Sequence, residues 1–139
     1  MSDGSSYALI EEIGTINLDL YRGFFDSDIL TDVLVLTRNR AEHIDERRYG
    51  VLQEYKANIL DTVNDPDLVI RDDKHIKDTV ISIREVKNSD SDKKLYVVIK
   101  FNLEGNNPEY KNSIMTMTVI NEKKFNQIKR NKTIIYEKL

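Results

Sequence analysis

Leu95-Tyr96-Val97-Val98-Ile99-Lys100-Phe101-Asn102-Leu103 is the longest stretch of the chain with a period of two. Side chains on an extended strand alternate between faces, so Leu95, Val97, Ile99, Phe101 and Leu103 share one side and Tyr96, Val98, Lys100 and Asn102 the other. The first set predicts a strand lying on a core, and the second a half-wet reverse side. Leu68 to Arg71, Thr79 to Val86 and Ser113 to Asn121 are strand-like in the same way. They are separated by Asp72-Asp73-Lys74, by Lys87 to Asp92 and by Glu104 to Asn112, all rich in turn formers. This arrangement predicts an antiparallel meander. Beyond it, Asn121 can cap a short helix through Lys123 to Lys129, and Thr133-Ile134-Ile135-Tyr136 reads as a final strand.

Upstream the period lengthens. Leu52, Tyr55, Ile59 and Val63 recur at three- and four-residue steps, and Asn64-Asp65-Pro66 ends that helix because the residue before proline is pushed out of the α region. Before it, Thr37 to Tyr49 predicts a helix capped by Thr37 and broken at Gly50. Arg40, His43 and Arg47 fall on one stripe of that helix, with Ala41 and Ile44 on the adjoining apolar stripe. Val33-Leu34-Val35-Leu36 reads as a strand feeding into it. Tyr7 to Phe25 admits two readings, a strand through Ile16, Leu18 and Leu20 or a short helix through Leu18 to Phe24. Residues 1–6 are small and polar and predict a disordered tail. Helices first and sheet afterwards indicate an α+β class.

The 139 residues, 40% hydrophobic and 32% charged, predict a single domain with a sizeable core. There is no cysteine, and the two histidines are far apart in sequence, so neither a disulfide nor a zinc site is expected, and no metal or cofactor. No spaced glycine cluster marks a nucleotide loop. No signal-like leader or membrane-length apolar run is present, which predicts a cytoplasmic protein without a membrane partner. A net charge of −3 disfavours a broad grip on nucleic acid, so any polyanion site must be local. Lys123, Lys124, Lys129, Arg130 and Lys132 form the basic end of the chain; they are either a phosphate-holding cluster or a solvated helix face. Asp72-Asp73-Lys74 reads as a charged turn rather than a metal site.

Several segments in order carry a family resemblance: Ile13-Gly14 through Leu20-Tyr21, Thr31-Asp32-Val33, Leu36-Thr37, His43-Ile44-Asp45-Glu46-Arg47, Asn64-Asp65-Pro66-Asp67 with Val69-Ile70, Tyr110-Lys111-Asn112-Ser113-Ile114 with Thr116, and Arg130-Asn131-Lys132 with Ile134-Ile135-Tyr136. Together they resemble the phage-associated branch of the barnase, EndoU, colicin and RelE-like nucleases. The resemblance implies N-terminal helices packed on an antiparallel sheet, with a short helix before the last strand. It also implies RNase-like activity in a bacterial or phage-infected cell, with RNA (single-stranded or transfer RNA) as partner and a cognate inhibitor protein as a possible second one. The family helix commonly continues from the arginine into a second histidine and a proline, where this chain has Arg48-Tyr49.

RNA can be cut by its own 2′-hydroxyl, so such a site needs a base, an acid and cations for the developing phosphorane. His43 can move protons near neutral pH, Arg47 can hold phosphate oxygens bidentately and Lys111 can add a point charge. Thr116 or Ser113 can orient a phosphate oxygen, but their opposite parity forbids both on an ideal strand without a bulge, and Thr116 is preferred. Arg40, Arg48 and Arg84 complete the expected substrate contacts, Arg84 alternatively being a surface ion pair. A different class stays open beside the metal-independent endoribonuclease: a catalytically inactive RNA- or protein-binding module of the same fold.

Overall fold

A computed structural model describes residues 7–86 and 92–139, so the tail expected over residues 1–6 and most of the turn expected over Lys87 to Asp92 lie outside the described residues. The strands are β1 (Ile10–Thr15), β2 (Val33–Thr37), β3 (Leu68–Arg71), β4 (Thr79–Glu85), β5 (Lys94–Lys100), β6 (Asn112–Ile120) and β7 (Ile134–Glu137). The helices are α1 (Leu18–Tyr21), α2 (Arg38–Arg47), α3 (Val51–Tyr55), α4 (Ile59–Asn64) and α5 (Glu122–Asn131). The class is α+β. One seven-stranded sheet runs in the order β1-β2-β6-β5-β4-β3-β7, and all neighbours are antiparallel except β2 and β6.

The period-two run forms the middle strand, β5, and its two faces have different fates. Leu95, Val97 and Ile99, with Phe101 and Leu103 just past the strand, join a core covered by α1 to α4 through Tyr21, Ile44, Leu52, Ile59 and Val63. The reverse face is drier than expected. Val98 and Tyr96 pack with Leu68, Ile70, Ile81 and Ile83 under Ile128 and Phe125 of α5, which gives the sheet a second, smaller core. β5 stops at Lys100 rather than Leu103 because the Asn112 side chain takes over the ladder, its Oδ1 accepting from the Asn102 amide at 2.8 Å.

The helix predicted from Gly50 to Asn64 is divided by a 3-10 turn over Lys56–Asn58, which re-aims the chain so that Leu52 and Tyr55 on one side, and Ile59 and Val63 on the other, all stay buried. Gly50 itself has φ +82, the left-handed conformation that glycine adopts without a steric penalty, and it separates α2 from α3. In the ambiguous N-terminal segment the short helix is found. The polar Asn17, which made Ile16 and Leu18 look like a strand, is the cap of α1: its Oδ1 accepts from the Asp19 amide while its own amide donates to Asn64 Oδ1. The meander β3-β4-β5-β6 is present as expected. Neither the parallel docking of β2 on β6 nor the seat of β7 beside β3 has a local sequence signature.

Candidate functional site

Thr37 starts α2 by accepting the Arg40 amide, and Ala41 and Ile44 then anchor one side of the helix in the first core. β2 pairs with β6 only at Leu34↔Asn112 and Val35↔Ser113, after which the chain turns into α2. The helix therefore runs along β6 where a further stretch of strand would lie. From that position its polar stripe looks past the edge of β6 onto the second face of the sheet, and Arg40 and His43 line a cleft of about 550 Å³ there. Tyr96, Val98 and Lys100 of β5 and Met115 and Thr116 of β6 form its floor, and Arg71 at the end of β3 with Asp72, Lys74 and His75 of the β3–β4 turn form the facing wall.

The strand geometry answers the parity problem. Val98 pairs with Thr116 but Ile99 pairs with Ile114, so β6 carries one extra residue, Met115, at that point. This bulge brings Ser113, opposite Lys100, and Thr116, opposite Val98, onto the same face. Thr116 sits in the cleft, and Ser113 lines the next depression, which shares Lys100 and Asp78 with it.

The remaining expected residues are dispersed. Lys111 is exposed and lines that neighbouring depression, held in place because buried Asn102 donates from Nδ2 to the carbonyls of Asn107 and Tyr110. Arg47 is exposed and does not line the cleft: it lies one turn beyond His43, past the end of the floor. Arg48 closes α2, its amide donating to the Ile44 carbonyl and its Nε to Thr118 Oγ1 at 3.3 Å, and lines a third depression beside α5. For Arg84 the substrate contact is corrected and the ion-pair alternative holds. It shares parity with Val80 and Ser82, so it emerges on the helix-covered face and donates from Nη1 to the Asp65 carboxylate at 2.5 Å and the Asp65 carbonyl at 2.6 Å. It is an ion pair between β4 and the end of α4, remote from the cleft.

Sequence reasoning missed His75, Lys100, Arg71 and Tyr96. His75 is the chain's second histidine, and its turn comes to line the same cleft as α2 only through the fold. Asp72 shapes the turn, accepting from the Lys74 amide at 3.0 Å and standing 3.4 Å from His75 Nδ1. A proton on Nδ1 directed at that carboxylate would leave Nε2 turned to other partners. The His43 ring makes no hydrogen bond among the described residues. Five lysines and arginines line the cleft against three aspartates, so a chain of negative net charge gathers a local excess of positive charge here. Among the described residues, no three His, Asp or Glu side chains converge as a metal site. Also among them, no helix is long and apolar enough to cross a membrane.

Compared with known protein families, with curated proteins and with solved structures, the chain finds no match. Its function has to be read from this cleft.

Proposed function

We propose that the protein is a metal-independent endoribonuclease-like domain of phage or mobile-element origin, related to the barnase, EndoU, colicin and RelE-like nucleases, which cleaves RNA by 2′-hydroxyl attack. One observation carries the reading: His43 and His75, from segments distant in sequence, line a single cleft together with Arg40, Lys100 and Thr116. Helices α1 to α4 on one face of a mostly antiparallel sheet, with α5 and the cleft on the other, agree with the α+β class that the sequence resemblance implies.

In this reading one histidine takes the 2′-hydroxyl proton as that oxygen attacks phosphorus. The other histidine protonates the departing 5′-oxygen, leaving a 2′,3′-cyclic phosphate. Arg40 and Lys100 offset the charge that accumulates on the phosphorane oxygens, and the Thr116 hydroxyl donates to one of them. His75 thereby takes the part of the family histidine replaced by Arg48.

Incubated with unstructured RNA in excess chelator, the protein is expected to release fragments ending in 2′,3′-cyclic phosphate and to leave DNA intact, since DNA lacks the nucleophile. His43→Ala and His75→Ala are each expected to slow cleavage about 100-fold, the lower end of what a positioned proton-transfer group contributes. Cleavage by both variants at the wild-type rate would overturn the assignment. The second reading, a binding module that holds RNA without cutting it, is favoured by one feature. Arg47 and Lys111 stand away from the histidines, which leaves the phosphorane fewer cations than the sequence suggested. RNA that binds but stays whole at every pH tested would select it.

A further inference from the structure

The third depression lies between α5 and the second face of the sheet, has a volume of about 580 Å³, and shares two walls with the cleft, Tyr96 and Lys132. Its floor is apolar, formed in part by buried Ile70 and Ile128. Its rim is cationic: Arg48 is held over the sheet by its bond to Thr118, while Lys124 and Lys132 are exposed on and just after α5. A phosphate needs the rim and gains nothing from the floor, whereas an apolar ligand needs the floor and gains nothing from the rim. A nucleotide uses both, because its base has a flat apolar face and its backbone an anion.

We propose that this depression is a base-binding subsite for single-stranded RNA, in which Tyr96 stacks on the base next to the phosphate held between His43 and His75. The inference rests on the reading of the cleft as a phosphate site. Tyr96 stands at the boundary of the two spaces, half-buried, with its ring on the same face of β5 as Val98 and Lys100. Burial, and then the Asp72 carboxylate, raise its pKa, which favours the neutral hydroxyl. Stacking tolerates any base, so the subsite confers a preference for single strands rather than for a sequence, because a paired base cannot leave its duplex stack to reach the ring.

The test compares two labelled hexamers that cannot be cleaved: a 2′-O-methyl RNA, and an abasic chain with the same number of phosphates. The wild-type protein is expected to bind the base-bearing hexamer about tenfold more tightly, in line with one stacked base. Tyr96→Ala is expected to abolish that preference, and Tyr96→Phe to keep it. Because Tyr96 is half-buried and packs against the second core, the location is read independently on the wild-type chain, with a hexamer carrying 5-bromouracil whose photo-adduct is mapped by mass spectrometry; attachment at Tyr96 is expected. Equal binding of the two hexamers, or attachment confined to other surfaces, overturns the subsite while leaving the phosphate cleft standing. Failure of both hexamers to bind removes the phosphate reading, and the subsite with it.

Discussion

At the scale of single residues, the stripe of α2 divides between two roles. Arg40 faces the cleft beside Thr116 and Lys100, whereas Arg47, seven residues on, is exposed outside it. A charge-assisted hydrogen bond to phosphate contributes roughly 1.5–3 kcal/mol, so Arg40→Ala is expected to weaken RNA affinity about tenfold or more, and Arg47→Ala by less than about twofold. Titration of a labelled single strand measures both, and the opposite order would place the phosphate path on the far end of the helix. Arg84 illustrates the other way a cation is used. Its guanidinium, and then Lys138, hold the exposed Asp65 carboxyl below its usual value of 3.8. A carboxylate whose pKa is depressed on folding contributes stability above the unfolded pKa and loses it as the pH falls through the folded one. The stability gap between wild type and Asp65→Asn is therefore expected to be constant above about pH 5 and to close as the pH drops below 3.8, as followed by urea melts across that range. The parity of Arg84 was legible in the sequence, but which face the helices would cover was not.

At the scale of elements, α2 is fixed from both ends and both sides. Thr37 caps it, Ala41 and Ile44 seat it on the core, and the Tyr7 hydroxyl donates to the Asp45 carboxylate. These contacts fix the helix that carries His43 into the cleft that His75 also lines. β5 is the fourth of seven strands and is flanked on both sides along its length by β4 and β6, with a core on each face. Hydrogen exchange is expected to be slowest at amides of Leu95 to Ile99 and of Ile81 to Ile83, and fastest in the edge strands β1 and β7. Fast exchange throughout β5 would contradict this architecture. Strands β2 to β7 and α2 were legible because each carries its own period or cap, whereas β1 was not, since the irregularity between Glu12 and Gly14 breaks its alternation. The 3-10 interruption of the α3–α4 segment was not, since a change of direction leaves the apolar spacing of Leu52, Tyr55, Ile59 and Val63 almost untouched.

At the scale of the whole molecule, an acidic chain whose cations gather around a cleft is expected to bind nucleic acid locally. Some three phosphate contacts, from Arg40, Lys100 and Lys132, give an expected slope of log affinity against log salt of about −2 for a single strand. A salt-independent affinity would mean that phosphates are not what the cleft holds. The sequence by itself determined the α+β class, the meander, the caps at Thr37 and Asn121 and the two faces of the central strand, because these follow from side-chain period and from hydrogen bonds between residues a few positions apart. The tertiary structure alone decided the rest. The parallel pairing of β2 with β6 puts α2 beside the strand it accompanies, the bulge at Met115 turns Thr116 and Ser113 to one side, and the β3–β4 turn brings His75 to the cleft that His43 lines. Such juxtapositions join residues far apart along the chain, and they are set by which apolar faces bury one another, a choice that no local window of sequence contains.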